Sequence, residues 1–210
     1  MLGLDIGVQQ DPQEFTKLFL TKIESFKFPR IVDTRPFLTN LLLGKEKYST
    51  LCSKCKRDSG QEHAFYEMDI SIGGISNLRA ALDSYFSVET LSGENCYECS
   101  NCKCKTEAER RTLILESPTV LCIQLLRYIY DKTTWEKKKL MSDFTFPDVL
   151  EVNNESYKLV SVLYHKGRSA HGGTLCYESK GFGVCVCVCV CVCVCVYVCV
   201  CLCVCVYLCV

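Results

Sequence analysis

GENCYECSNCKCKTEAERR, spanning Gly93–Arg111, packs four cysteines into nine residues, and its reading decides the fold. Cys99 and Cys102 have two residues between them, the spacing at which a tight turn aims both sulfurs at one ion. The same spacing occurs upstream in CSKC, at Cys52 and Cys55, with residues 56–98 between the two pairs. Four thiolates held tetrahedrally satisfy Zn²⁺, so Cys52, Cys55, Cys99 and Cys102 are the candidate ligands and structural zinc the candidate cofactor. The separation exceeds that of a compact zinc ribbon, so a strand and a helix must lie between the pairs, and the ion would tie distant segments together. Cys96 and Cys104 flank the second pair and leave open which sulfurs ligate. Four free thiols are the bland alternative. A redox pair fits less well, because neither motif opens a helix after a strand. Cys122 lies in an apolar run and reads as core.

Working outward, QQDPQEFTKLFLTKIESF carries a helix start: Asp11 at the cap, Pro12 at the first helical position and Glu14 three residues after the cap. Phe15, Leu18, Phe19 and Ile23 then share one face. FLTNLLLGKEKYSTLC reads as strand-like stretches on either side of Gly44. FYEMDISIGG alternates Tyr66, Met68, Ile70 and Ile72 with polar residues, as in a half-buried strand. SNLRAALDSYF predicts a helix with Ser76 as its cap. Two strands flank Pro118, the second nearly all apolar and therefore central. The lysine run Lys137–Lys139 reads as a solvated loop with Trp135 packed beneath it, and FTFPDVLEV and YKLVSVLYH close the ordered pattern. The fold class is α+β, helix first and a mostly antiparallel sheet after.

The chain has 210 residues with 24 basic and 24 acidic side chains, all of them before Val184. Balanced charge with no basic arm argues against nucleic acid as a partner. MLGLDIGVQQ lacks the basic start and apolar run of a secretory signal, so a cytoplasmic or nuclear location is expected. From Val184 to Val210 cysteine alternates with valine almost without interruption. The run is long enough to span a bilayer as a helix, for which roughly 20 apolar residues suffice. Strict β-branched alternation and the lack of a flanking basic or tryptophan girdle argue against a membrane role. As a strand it would place every thiol on one face, and it lacks the Lys, Ser and Gly of a soluble thiol-rich metal trap. A repeated TG dinucleotide reads GTG TGT, valine then cysteine, in one frame. Tyr197, Leu202, Tyr207 and Leu208 each differ from a repeat codon by one base, so a translated dinucleotide repeat is the preferred reading of 184–210.

The order of these pieces resembles the ubiquitin-specific protease family of papain-like cysteine deubiquitinases, from about Gly3 to Gly173. QQDPQEF is similar to the family's QQDAQEF helix, and LLGKEKYSTLCSKC to its entry into the fingers. GENCYECSNCKCKTEAERR resembles its second knuckle, and LCIQLLRYIYDKTTWEKKKL its L-x-L-x-R-F strand and following lysines. The resemblance implies a hand-shaped fold with a thumb helix, zinc-bearing fingers and an antiparallel palm sheet, incomplete here. It implies ubiquitin or ubiquitinated proteins as partners, and Asp11 as a contact for ubiquitin's basic C-terminal tail.

Family catalysis needs a cysteine nucleophile, a histidine base and an Asp or Asn to orient the base. The nucleophile box precedes the QQD helix in the family, and this chain starts inside the stretch that follows it. In the histidine box, His165, Gly167 and Gly173 stand in register, after which Thr174 and Leu175 replace the family's His-Tyr. His171 lies three positions before the required base, too far for direct proton transfer, and His63 reads as a surface histidine. The expectation is therefore a partial protease domain over 1–173, an aberrant junction at 174–183 and the repeat-derived tail at 184–210. No catalytic residue is assigned, and the chain is expected to be inactive although its family hydrolyses the bond at the ubiquitin C-terminus. The alternatives are a non-catalytic zinc-containing ubiquitin-binding module and a membrane-associated thiol-rich protein.

Overall fold

The computed structural model describes Leu18, Thr21, Lys22 and Ser25, residues 35–131, Thr133, and residues 136–169, 172–179 and 202–209. The four early residues are helical, in the segment where a helix is predicted. Asp11, Pro12, Glu14, Phe15, Phe19, Ile23, Trp135 and His171 lie outside the described residues.

Helix α1 (Arg35–Leu42) precedes a first sheet of four strands in the order β2-β1-β7-β4: β1 (Gly44–Cys52), β2 (Gln61–Phe65), β4 (Glu89–Leu91) and β7 (Ala108–Glu116). FLTNLL is thus helical, and only the half from Gly44 onward is a strand. A short apolar run has no period that separates the two. Between β4 and β7 a two-stranded hairpin, β5 (Tyr97–Cys99) with β6 (Cys104–Thr106), carries the second cysteine pair.

The second sheet has the order β11-β12-β14-β8-β3, with β13 (Gly172–Ser179) also on β12. Its members are β3 (Met68–Ser71), β8 (Val120–Leu126), β11 (Val149–Val152), β12 (Glu155–Ser169) and β14 (Leu202–Cys209). All these pairings are antiparallel except β3 with β8, which run parallel. Alternation along β3 buries Met68 and Ile70 and exposes Asp69 and Ser71, as its pattern predicts. The nearly all-apolar β8 is flanked on both sides, and its Leu121, Ile123 and Leu125 are at most 1% exposed. They pack with Leu150, Tyr157 and Leu159 and with Leu78, Ala81 and Leu82 of helix α2 (Leu78–Tyr85) into one core.

The cap of α2 is Asn77, whose Oδ1 accepts the Ala80 N–H at 2.9 Å, one residue after the predicted Ser76. Ser76 is used elsewhere: its carbonyl accepts the Thr145 N–H at 2.9 Å. The lysine run is also not a loop. Residues Glu136–Lys139 form β10, paired antiparallel with β9 (Tyr128–Asp131).

Candidate metal centre

Strand β1 ends at Cys52 and turns at once. The Lys56 N–H bonds back to the Cys52 carbonyl at 2.9 Å, with Lys56 at φ 56°. The second motif repeats this geometry: the Lys103 N–H bonds to the Cys99 carbonyl at 2.8 Å, with Lys103 at φ 55°. Each loop folds its two sulfurs onto the same side. The Arg57 guanidinium reaches Asn101 Oδ1 at 3.4 Å, one link between the two knuckles.

The four Sγ atoms of Cys52, Cys55, Cys99 and Cys102 lie within 4.8 Å of one another. Cys52 to Cys102 is 3.9 Å and Cys55 to Cys99 is 3.7 Å. A tetrahedral ion with metal–sulfur bonds of 2.3 Å requires sulfur–sulfur edges of about 3.8 Å. The donor set therefore fits a thiolate-preferring tetrahedral ion. Cys52 and Cys99 are buried and Cys55 and Cys102 half-buried, so the site is shielded on one side and reachable on the other.

The electrostatics are divided among the thiols. Donation from the Cys55 backbone N–H, then from the Thr106 hydroxyl 3.2 Å away, lowers Cys52 to about 6. The Arg57 backbone N–H, followed by Asn101, lowers Cys55. Burial, reinforced by the neighbouring sulfurs, pushes Cys102 up to about 12. Donors thus favour the thiolate at Cys52 and Cys55, while burial and the neighbouring sulfurs disfavour it at Cys102. Cys52, Cys55, Cys99 and Cys102 would hold a divalent cation as thiolates, and its charge would offset their mutual repulsion.

Cys104 is exposed, 4.0 Å from the Lys54 ammonium, and Cys96 is half-buried; neither belongs to the four-sulfur set. Cys122 is half-buried on β8, and burial pushes its thiol up to about 12. His63 is exposed, its ring 5.2 Å from that of Tyr48. His165 falls on β12 opposite Leu175. Sequence reasoning missed Thr106 and the left-handed lysines. Thr106 sits two residues after Cys104 with no distinguishing pattern, and a lysine at positive φ has no signature of its own.

The ubiquitin carboxyl-terminal hydrolase family matches residues 3–180. The chain belongs to that family. Ubiquitin carboxyl-terminal hydrolase 26 of Oryza sativa subsp. japonica is 38% identical over 184 residues, 82% of this chain and 17% of the relative. Ubiquitin carboxyl-terminal hydrolase 48 of Danio rerio is 36% identical over 181 residues, with the same coverage of 82% and 17%. A Drosophila melanogaster relative, ubiquitin carboxyl-terminal hydrolase puf, is 29% identical over 144 residues, 69% of this chain and 4% of its own length. The chain thus spans about a sixth of the length of these first two relatives, and the β-rich architecture with few helices fits the family's α+β fold.

Proposed function

We propose that this chain is a ubiquitin-holding part of a thiol-dependent deubiquitinase, with zinc bound by Cys52, Cys55, Cys99 and Cys102 as a structural ion. The family match over residues 3–180 carries the reading, and the four-sulfur set supports the metal assignment. When bound, the ion supplies cross-linking and charge neutralisation. The protein's part is to present four sulfurs and the N–H and hydroxyl donors that hold their negative charge. The first sheet then corresponds to the fingers and the second to the palm, and the partner is ubiquitin or a ubiquitinated protein, with Asp11 against ubiquitin's basic C-terminal tail. A cytoplasmic or nuclear setting goes with this assignment.

The parent activity is thiol attack on the isopeptide or peptide bond at the ubiquitin C-terminus, and the chain itself is proposed to be inactive. Among the described side chains no cysteine is hydrogen-bonded to a histidine. The division into a partial protease domain at 1–173, a junction at 174–183 and a repeat-derived tail belongs to the same proposal. Its check is the coding DNA, where a GTG TGT tract broken by single-base changes only at Tyr197, Leu202, Tyr207 and Leu208 is expected, and varied valine and cysteine codons exclude it. No helix among the described residues is long and apolar enough to cross a membrane.

The functional test uses the purified full chain. Titrated into isotope-labelled ubiquitin, it is expected to shift resonances at ubiquitin's C-terminal tail, and Asp11→Asn to weaken that binding without loss of helicity. A fluorogenic ubiquitin C-terminal amide is expected to be cleaved no faster than in buffer. Absence of binding refutes the ubiquitin assignment. Cleavage abolished by one point substitution refutes the inactivity.

A further inference from the structure

In the second sheet β8 and β12 are separated by one strand's width, and the segment filling it comes from the far end of the chain. Residues Leu202–Cys209 pair antiparallel with both walls. Val204 stands opposite Gln124 of β8 and Leu163 of β12, and Val206 opposite Cys122 and Ser161. Main-chain bonds of this kind accept any extended segment, so they explain occupancy without selecting a sequence. In an alternating Val-Cys run a shift of two residues leaves the pattern almost unchanged, so the run itself also sets its register weakly.

Selection enters at Gln124. This residue is 5% exposed, and its Oε1 is the one buried side-chain oxygen or nitrogen among the described residues that has no hydrogen-bond partner. An acceptor buried in that way loses its hydrogen bonds to water with nothing in return. Its register partner on β3 is Asp69, a carboxyl that offers oxygens, and its partner on β14 is Val204, which has no polar group. Directly opposed residues on neighbouring strands have Cβ atoms about 4.5–5.5 Å apart, within reach of a hydroxyl or amide donor.

We propose that the lane between β8 and β12 is a strand-acceptor site for the chain's own Leu202–Cys209, held antiparallel to both walls, and that it favours a side-chain donor opposite Gln124. The chain's own Leu202–Cys209 holds the lane through its backbone, and Val204 is its mismatched position. Threonine, serine or asparagine in place of Val204 would supply the donor that this occupant lacks.

The experiment reads hydrogen exchange of the full chain in fragments covering residues 120–126 and 202–209. Val204→Thr is expected to slow exchange in both by roughly three- to tenfold, the worth of one added hydrogen bond. Val206→Thr, opposite Cys122, adds an equal hydroxyl away from Gln124 and is expected to leave exchange unchanged or faster. In a Gln124→Leu background the Val204→Thr gain is expected to vanish. Equal effects at positions 204 and 206, a gain that survives Gln124→Leu, or no gain at all overturns the proposal. All of these substitutions are read in the chain with its own tail, and Val204→Thr and Val206→Thr differ only in position, so a general loss of folding moves them together and counts against it.

Discussion

Glu46 is a charged residue in the stretch KEK, yet it is only 6% exposed. Its two carboxyl oxygens take separate donors: the Tyr48 hydroxyl at 2.6 Å on Oε1 and the Tyr85 hydroxyl at 2.9 Å on Oε2. The second bond ties β1 to the last residue of α2, and so joins the first sheet to the core of the second. Burial, then the bond to Glu46, raises Tyr85 above the ordinary phenol range, while for Tyr48 the bond to Glu46 comes first. Tyr85→Phe leaves a buried carboxyl oxygen short of its donor, and a loss of about 1.5–3 kcal/mol in urea denaturation is expected. Tyr48 is 45% exposed, so water replaces its hydroxyl, and Tyr48→Phe is expected to cost less than about 1 kcal/mol. The reverse order contradicts this account. Asp58 behaves differently: the bond from Lys47, then one from Ser49, holds its carboxyl below the usual range. A depressed folded value means stability that is present above the unfolded value near 3.9 and is lost as pH falls through the folded one. Asp58→Asn is therefore expected to flatten the acid limb of stability below about pH 4, by less than about 1 kcal/mol given its solvent screening. None of this was legible in the sequence, where charged residues in a strand read as a solvated face.

At the scale of elements, both knuckles close on a lysine in the left-handed region, Lys56 and Lys103, where a side chain costs about 1–2 kcal/mol and a β-branched one more. Lys103 already carries that cost, so Lys103→Val is expected to destabilise the protein only by the β-branched increment, while Lys103→Gly is expected to be neutral or stabilising by up to about 1 kcal/mol, its entropic cost of about 0.5–1 kcal/mol offsetting part of the relief. Denaturation midpoints of the two variants decide it, and equal losses refute the strain. Gly44 opens β1 directly opposite Phe65, and a Cβ there would lie 2.3 Å from the Phe65 ring, itself 8% exposed. Gly44→Ala is expected to cost about 1–3 kcal/mol as the ring is forced from the core. Spacing and alternation made some elements readable: the cysteine motifs at the end of β1 and on β5–β6, the alternating β3 and the apolar β8. They failed where the deciding information is tertiary. FLTNLL becomes a helix with no period to announce it, and Glu136–Lys139 becomes a strand because β9 pairs with it, although its charges carry no strand signal.

Across the molecule, the second sheet and the β5–β6 hairpin differ in what holds them. The sheet has a continuous apolar core under α2, whereas β5 and β6 are three residues each and pair only with one another. An isolated hairpin of that size is marginal in water. On the proposed zinc assignment the four-sulfur set fixes it, joining Cys52 and Cys55 on one side to Cys99 and Cys102 on the other. A cross-link closing a loop of this length removes about 4 kcal/mol of unfolded-chain entropy in the loop-closure model, and a bound ion adds its coordination energy. The expected consequence of stripping metal with a strong chelator is uneven. Exchange in residues 93–106 should rise to the rate of an unprotected chain, while α2, β8 and β11 keep their protection because their core touches none of the four sulfurs. Cys99→Ser should reproduce the pattern without chelator and lower the zinc content of the purified protein below one ion per chain. Uniform loss of protection across both sheets would mean that the ion holds the entire fold. Unchanged protection at 93–106 would mean that the thiols pack without needing it.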